Sequence, residues 1–122
     1  MIIGIGVDTV EISRFEKKIT ETPKLVERLF TTDEADAPAR TLAGRFAAKE
    51  AVIKALAGAQ GIEWHGILVS KEESGRPIIS VSGKTAEIAN HLGVSKFHLS
   101  ITHDGDMAVA FVVAESANGG AQ

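Results

Sequence analysis

The sequence predicts a small α+β domain in which an antiparallel sheet packs around one long central helix. Its 122 residues suit a single domain, and a hydrophobic content of 44% is typical of a globular protein. Strand-like segments lie at both ends of the chain, and the last two are joined by Asp104-Gly105-Asp106, a hairpin signal. One long helical segment lies between them.

Composition narrows the class of protein. The formal net charge of -3 gives no support for a nucleic-acid partner. The absence of cysteine excludes disulfides and thiolate metal sites. The opening segment MIIGIGVD has neither a basic region nor a long apolar run, so it predicts no signal peptide and no membrane anchor. We therefore expect a soluble, cytoplasmic protein.

The first elements follow from apolar pattern and capping residues. An apolar, β-rich segment predicts a strand over 2–12. Ser13 is the expected N-cap of a helix that runs to about Thr20, with Glu16 completing a capping box. The predicted folded domain covers 1–116, and the small, polar tail 117–122 is expected to be disordered.

The central helices are marked by proline and glycine. Pro23 opens a short helix to about Phe30. The segment Thr31-Thr32-Asp33-Glu34 predicts another helix start, which Pro38 ends. The strongest helix is predicted over 41–57, because it is rich in alanine and leucine and is closed by Gly58.

The second half of the chain alternates strands with one further helix. Strands are predicted over 65–71 and 77–81, joined by a turn at 73–76. Ser82 is expected to cap a helix that runs to about Leu92 and ends at Gly93. The last hairpin is predicted to pair strands over 96–103 and 107–114.

The long helix carries its charges in an unusual place. One side is an apolar stripe, and the opposite side, where a surface helix would be charged, is small: Gly44, Ala47, Ala48, Ala51 and Ala55. Arg45 and Lys49 border the stripe on one side, and Glu50 and Lys54 on the other. The helix is therefore expected to pack on two sides, and Glu50 needs a cation or hydrogen-bond donors. The alternative is an exposed i,i+4 contact between Glu50 and Lys54.

Asp8 is a second candidate site residue. It shares strand parity with Gly4 and Gly6, and glycines within a strand often mark close approach by a ligand or another backbone. Alone, Asp8 is more simply a strand-end carboxylate. Together with Glu50 it forms a possible oxygen site for Mg²⁺, which takes one or two carboxylates and completes its shell with water and phosphate oxygens.

His103 closes the predicted strand over 96–103. Its parity places it on the apolar side, where an imidazole can donate to a phosphate or simply satisfy a backbone carbonyl. The sequence contains no cysteine, no G-x-S-x-G elbow and no phosphate-binding loop of the G-x-x-x-x-G-K type. Any chemistry is therefore expected to use a metal ion and positioned cations.

Four segments, taken in order, resemble one family. They are GIGVDTVEI at 4–12, LAGRFAAKEAVIKAL at 42–56, SGRPIISVSG at 74–83 and FHLSITHDGDMAVAFVVAE at 97–115. The second resembles a signature helix written R-[FW]-x-x-K-E-A, with a lysine four residues after the glutamate. The chain is similar in this way to the holo-acyl-carrier-protein synthases, which are 4′-phosphopantetheinyl transferases, over nearly its whole length.

The resemblance implies a reaction and its partners. Coenzyme A would donate 4′-phosphopantetheine to a serine hydroxyl of apo-acyl carrier protein, releasing 3′,5′-ADP, in fatty acid biosynthesis. The small domain would assemble as a homotrimer with active sites at the subunit interfaces. Gly75, Arg76 and Pro77 would lie near the adenine.

The resemblance also implies roles for five charged side chains. Asp8 and Glu50 would hold Mg²⁺, and Lys54 would contact the pyrophosphate. Arg45 and His103 would bind CoA phosphates. Lys54 and His103 would stabilise the leaving phosphate, and Glu50 is the candidate base for the serine proton.

A basic helix face is the candidate docking surface for the acidic carrier protein. Arg14, Lys17 and Lys18 fall at i, i+3 and i+4, and Arg28 extends the patch. The alternative is a solvated face interspersed with glutamates. The segment 32–42 is short compared with many family members, so Asp33 and Glu34 receive no predicted role.

Two other functions compete with the transferase. A metal-dependent phosphohydrolase or nucleotide-binding enzyme could use the same carboxylates without a protein acceptor. A non-catalytic oligomeric module could bind CoA without turnover, although Asp8, Glu50 and Lys54 are all present.

Overall fold

The computed structural model describes residues 1–117, so the predicted tail lies outside the described residues except for Ala117. A 3₁₀ turn at Trp64–Gly66 precedes the second strand. The other elements, in chain order, are β1 (Ile2–Glu11), α1 (Ile12–Glu21), α2 (Lys24–Leu29), α3 (Thr32–Ala35), α4 (Ala39–Ala55), β2 (Ile67–Lys71), β3 (Pro77–Val81), α5 (Gly83–His91), β4 (Lys96–Asp104) and β5 (Met107–Glu115).

The predicted α+β architecture is confirmed. Three antiparallel strands form one sheet in the order β1-β5-β4, and β2 pairs with β3 in a separate antiparallel hairpin. Helix α4 lies across β1 and β5, where the sheet presents small buried side chains: Ala108, Ala110, Val112 and Ala114. None of the described helices is both long enough and apolar enough to cross a bilayer.

The two glycines of β1 allow α4 to approach the sheet closely. A Cβ atom at Gly6 would overlap the carbonyl oxygen of Ala51, and one at Gly4 would overlap that of Ala55. The close approach predicted at these glycines is therefore made by another backbone. It brings the helix side of β1, including Asp8, against α4.

The predicted N-cap at Ser13 is wrong. Helix α1 begins at Ile12, its N-cap is Glu11, and Ser13 lies inside the first turn. The Ser13 N–H donates to Asp106 Oδ1 at 3.0 Å, and its hydroxyl donates to Asp106 Oδ2. A carboxylate that is 93 residues away thus caps the helix, and no local pattern could have indicated it.

Smaller boundary differences have local causes. Strand β2 begins at Ile67, later than predicted, because the preceding residues form the 3₁₀ turn. Helix α4 begins at Ala39, directly after Pro38, and ends at Ala55. Ala57 and Gly58 then adopt positive φ values of 57° and 66°, which stop the helix earlier than predicted.

The short segment before α4 has a structural function. The Glu34 carboxylate is 1% exposed and pairs with Lys49, which is fully buried, at 2.7 Å. Lys49 Nζ also donates to the carbonyls of Trp64 and Ile67, and the Val69 N–H donates to Glu34 Oε2 at 2.7 Å. This network joins α3, α4 and β2, so the predicted packing of α4 on two sides is confirmed.

Candidate functional site

Asp8 and Lys54 meet between β1 and α4. Lys54 Nζ lies 3.2 Å from Asp8 Oδ1 and donates to the Val7 carbonyl at 2.9 Å. The Lys54 side chain is 53% exposed and that of Asp8 is 19% exposed. Among the described residues, the ion pair of Lys54 is with Asp8, and the alternative i,i+4 pair with Glu50 does not form.

Glu50 is half-buried beside this pair and accepts no hydrogen bond from the described residues. Burial raises the pKa of Glu50 above its usual value of 4.5, the nearby Asp8 charge raises it further, and Lys54 opposes both effects. The charges of Asp8 and Glu50 thus act on each other, and Lys54 pairs with Asp8 rather than with Glu50. Such a site favours a hard cation, which would relieve both the repulsion and the desolvation.

The described residues contain no cluster of three or more side chains able to hold a metal ion. Asp8 and Glu50 therefore offer two carboxylate ligands at most. That number suits Mg²⁺, which commonly takes one or two carboxylates and the oxygens of a bound phosphate. The donor set fits an ion that arrives with a phosphorylated substrate.

A cleft of about 200 Å³ lies between α4, β2 and the end of β4. Four residues of the predicted CoA site line it: Arg45, Gly75, Pro77 and His103. Arg76 does not line this cleft; it is exposed, and its Nε lies 3.7 Å from Glu72. Lys71 and Gly44 also line the cleft, and sequence reasoning gave neither a ligand role. Lys71 lies shortly before the turn that was predicted to contact the adenine, and this position could have indicated a ligand role.

His103 is oriented by two backbone features. Its Nε2 donates to the Arg40 carbonyl at 3.1 Å, so the expected alternative, a bond to a backbone carbonyl, occurs. Nδ1 has no partner among the described residues. A Cβ atom at Gly44 would lie 3.0 Å from His103 Nε2 and 3.2 Å from Ile101. The glycine therefore leaves room for the imidazole at the wall of the cleft.

The acidic pair and the cleft lie on different sides of α4. Glu50 is five residues from Arg45 and Lys54 is nine, which places them about 140° and 180° away around the helix axis. The cleft lined by Arg45 and His103 accordingly includes neither Asp8, Glu50 nor Lys54. Within one copy of the chain, Asp8, Glu50 and Lys54 form one half of the predicted site, and the cleft lined by Arg45 and His103 forms the other. The two halves lie apart.

A groove of about 410 Å³ lies between α1, α2 and β1. Arg14, Lys18 and Arg28 line it, Asp8 lies at its β1 wall, and Lys17 is not among its lining residues. The other lining residues include a set of apolar side chains: Phe15, Leu25, Leu29, Phe46 and Trp64. Three of the four predicted docking residues thus share one surface.

Comparisons with known proteins point to one family. The model of the 4′-phosphopantetheinyl transferase superfamily matches residues 4–112. The holo-[acyl-carrier-protein] synthase of Clavibacter michiganensis subsp. michiganensis is 51% identical over 115 residues, which are 94% of this chain and 97% of that protein.

Two of the similar solved structures contain a bound ligand. The holo-[acyl-carrier-protein] synthase of Helicobacter pylori in complex with coenzyme A has a TM-score of 0.81 and 32% identity, covering 91% of this chain and 99% of that one. The synthase of Bacillus anthracis in complex with CoA (3′,5′-ADP) has a TM-score of 0.77 and 35% identity, covering 96% and 99%.

Proposed function

The chain belongs to the holo-[acyl-carrier-protein] synthases of the 4′-phosphopantetheinyl transferase superfamily, and we propose that Asp8 and Glu50 hold the Mg²⁺ ion used in its reaction. It transfers 4′-phosphopantetheine from coenzyme A to a serine hydroxyl of apo-acyl carrier protein. The observation that carries the metal assignment is the half-buried Glu50 carboxylate, which accepts no hydrogen bond from the described residues and lies near Asp8; burial and then the Asp8 charge raise its pKa.

The reaction is a displacement at the β-phosphorus of CoA. The serine oxygen forms a bond to phosphorus, the bond to the 3′,5′-ADP oxygen breaks, and the serine proton leaves to a base. When bound, Mg²⁺ neutralises charge on the pyrophosphate. Lys54 is positioned by Asp8 and the Val7 carbonyl to stabilise the leaving phosphate, and Glu50 is the candidate base.

The donor cleft supplies the rest of the predicted CoA contacts. Arg45 and His103 would bind CoA phosphates, and Lys71 would add a third positive group. Gly75 and Pro77, which also line the cleft, would lie near the adenine. Arg76 would contribute from outside the cleft. The CoA-bound structures of two relatives support CoA as the ligand of this fold.

A homotrimer with shared active sites would join the two halves. The sheet face opposite α4 exposes Ile5 by 60%, Val7 by 51% and Phe111 by 45%, and this apolar surface favours contact with another copy. Asp8 faces the α4 side of the same strand, but β1 is an edge strand of the sheet, so a neighbour that covers the apolar face and extends past this edge would approach the acidic pair. The cytoplasmic location and the place in fatty acid biosynthesis are proposed on the resemblance.

The acceptor would dock on the groove lined by Arg14, Lys18 and Arg28. Glu11 also lines the groove, but its three basic side chains and its apolar floor match an acidic partner with an apolar contact residue, and the groove reaches Asp8, beside the proposed reaction site. Lys17 would contribute only long-range charge.

Mass spectrometry tests the transfer directly. The protein is incubated with CoA, Mg²⁺ and apo-acyl carrier protein, and the expected product is carrier protein that has gained one phosphopantetheine. Cleavage of CoA without an acceptor would identify a phosphohydrolase. CoA binding without turnover would identify a binding module.

Mixed assembly tests the shared site. Glu50→Gln and Arg45→Ala damage different halves, so each variant alone should be inactive or nearly so. If the halves come from different copies, refolding the two variants together restores part of the activity. Activity that stays at the level of the two separate variants contradicts a shared site.

A matched charge reversal tests docking. Arg14→Glu should raise the KM for the carrier protein about tenfold at low salt, because it places a negative charge in the groove. Lys17→Glu makes the same charge change on the same helix outside the groove and should have a much smaller effect. Equal KM values for the two variants would contradict docking in the groove.

A further inference from the structure

The tip of the β4–β5 hairpin is bonded to the first turn of α1. Asp106 accepts three hydrogen bonds there: its carbonyl from the Ile12 N–H at 2.7 Å, and its carboxylate from the Ser13 N–H and the Ser13 hydroxyl. Helix α1 has no cap of its own, because Glu11 makes no side-chain cap bond and the first turn contains no acidic residue. Asp106 therefore supplies both the missing acceptor and the negative charge that a helix N-terminus favours.

Arg14 belongs to the turn that Asp106 caps. It directly follows Ser13, and it lines the groove together with Lys18, one turn further along the helix. Fraying of the first turn would release the Arg14 backbone from its helical position and loosen the groove wall. Arg28 lines the same groove from α2, to which Asp106 makes no hydrogen bond among the described residues.

We propose that Asp106 is a positioning residue for carrier-protein recognition, acting through the first turn of α1. This inference rests on the proposed docking groove. Asp106 touches neither the acidic pair nor the cleft in the described residues, so its effect should fall on acceptor binding.

The part of the same hairpin that lies beside the cleft is fixed by other hydrogen bonds. Arg40 Nη1 donates to the Gly105 carbonyl at 3.2 Å, and His103 Nε2 donates to the Arg40 carbonyl. These bonds do not involve the Asp106 carboxylate. Removing that carboxylate should therefore leave His103 in place and the KM for CoA unchanged.

Steady-state kinetics on the full chain test the proposal. Asp106→Ala should raise the KM for apo-acyl carrier protein about three- to tenfold, as expected for loss of a helix cap, with the KM for CoA and kcat unchanged. Asp106→Asn keeps an acceptor for the Ser13 N–H and should recover most of the loss, because Asn caps helices well. Equal rises in both KM values, or no recovery in the Asn variant, would overturn the proposal.

A double-mutant cycle separates positioning from general loosening of the fold. In an Arg14→Ala background, Asp106→Ala should add little to the KM for the carrier protein, because the side chain it positions is gone. In an Arg28→Ala background it should keep its full effect. Equal effects in both backgrounds would show that Asp106 acts on overall stability and would overturn the proposal.

The Arg14→Ala variant also distinguishes a wrong positioning role for Asp106 from a wrong docking groove. If Arg14→Ala raises the KM for the carrier protein but Asp106→Ala does not, the docking groove stands and the positioning role is wrong. If neither variant changes that KM, the docking groove itself is wrong, and the inference that depends on it is overturned as well.

Discussion

Lys49 and Glu50 are adjacent in the chain, yet they lie in opposite electrostatic environments. The Lys49 ammonium is fully buried, and three acceptors surround it: the Glu34 carboxylate and the carbonyls of Trp64 and Ile67. Glu50 is only half-buried, but its carboxylate accepts no hydrogen bond from the described residues. The more deeply buried charge is the better satisfied one.

We interpret Lys49 as a charge that stabilises the fold and Glu50 as a charge with the proposed functional role. The pKa of Lys49 is lowered because burial outweighs the opposing effects of the hydrogen bond to Glu34 and of the Glu34 charge. Burial raises the pKa of Glu50, and the charge of Asp8 adds to that effect. The fold supplies Lys49 with partners and leaves the Glu50 carboxylate without a hydrogen bond from the described residues, which is consistent with the proposed ion site.

The largest expected effect breaks the buried network. Lys49→Met should lower the free energy of unfolding by about 3–5 kcal/mol, because it leaves the Glu34 carboxylate buried without its cation. Lys54→Met, on the exposed pair with Asp8, should cost less than about 1 kcal/mol. Urea unfolding followed by circular dichroism measures both, and similar losses would contradict the contrast between the two clusters.

Replacing Glu50 should change activity strongly and leave the fold intact. Glu50→Gln should lower kcat/KM at least about a hundredfold, because it removes a proposed ligand of the ion. Its circular dichroism spectrum should match that of the unmodified chain. A variant that keeps ordinary activity would refute the role of Glu50, and an unfolded one would refute the division between structural and functional charges.

The pH dependence of activity sharpens the assignment of Glu50. Its pKa is raised and a metal ligand must be deprotonated, so activity should fall on acidification at a higher pH than an ordinary glutamate would cause. Raising the Mg²⁺ concentration should move this inflection to lower pH, because the ion competes with the proton. An inflection that does not respond to Mg²⁺ would exclude Glu50 as a ligand.

The smallest expected effect concerns stability without metal. A carboxyl whose pKa is higher in the folded state than in the unfolded state loses stability when it ionises, as the pH rises through the interval between the two values. Glu50→Gln should therefore be slightly more stable than the unmodified chain at neutral pH and equal to it below about pH 4.5. Thermal unfolding in a chelator measures this difference, and a less stable variant at neutral pH would contradict the stated cause of the shift.

Local pattern was sufficient where the deciding contacts are local. Pro23 and Gly93 mark helix boundaries that the structure confirms within one or two residues, because these residues restrict or free the backbone themselves. The cap of α1 was mispredicted for the opposite reason. Ser13 and Glu16 have the spacing of a capping box, but Asp106 competes successfully from across the chain.

The sequence by itself determined the family, the long charged helix and the residues of the acidic pair, because these depend on residue identity and on spacing along one chain. Only the tertiary structure decided which lysine is buried and which carboxylate accepts no hydrogen bond from the described residues. It also decided that the acidic pair and the cleft lined by Arg45 and His103 lie on different sides of α4. Desolvation depends on what packs around a charge, and neighbours such as Glu34 and Lys49 are made by folding rather than by position in the sequence.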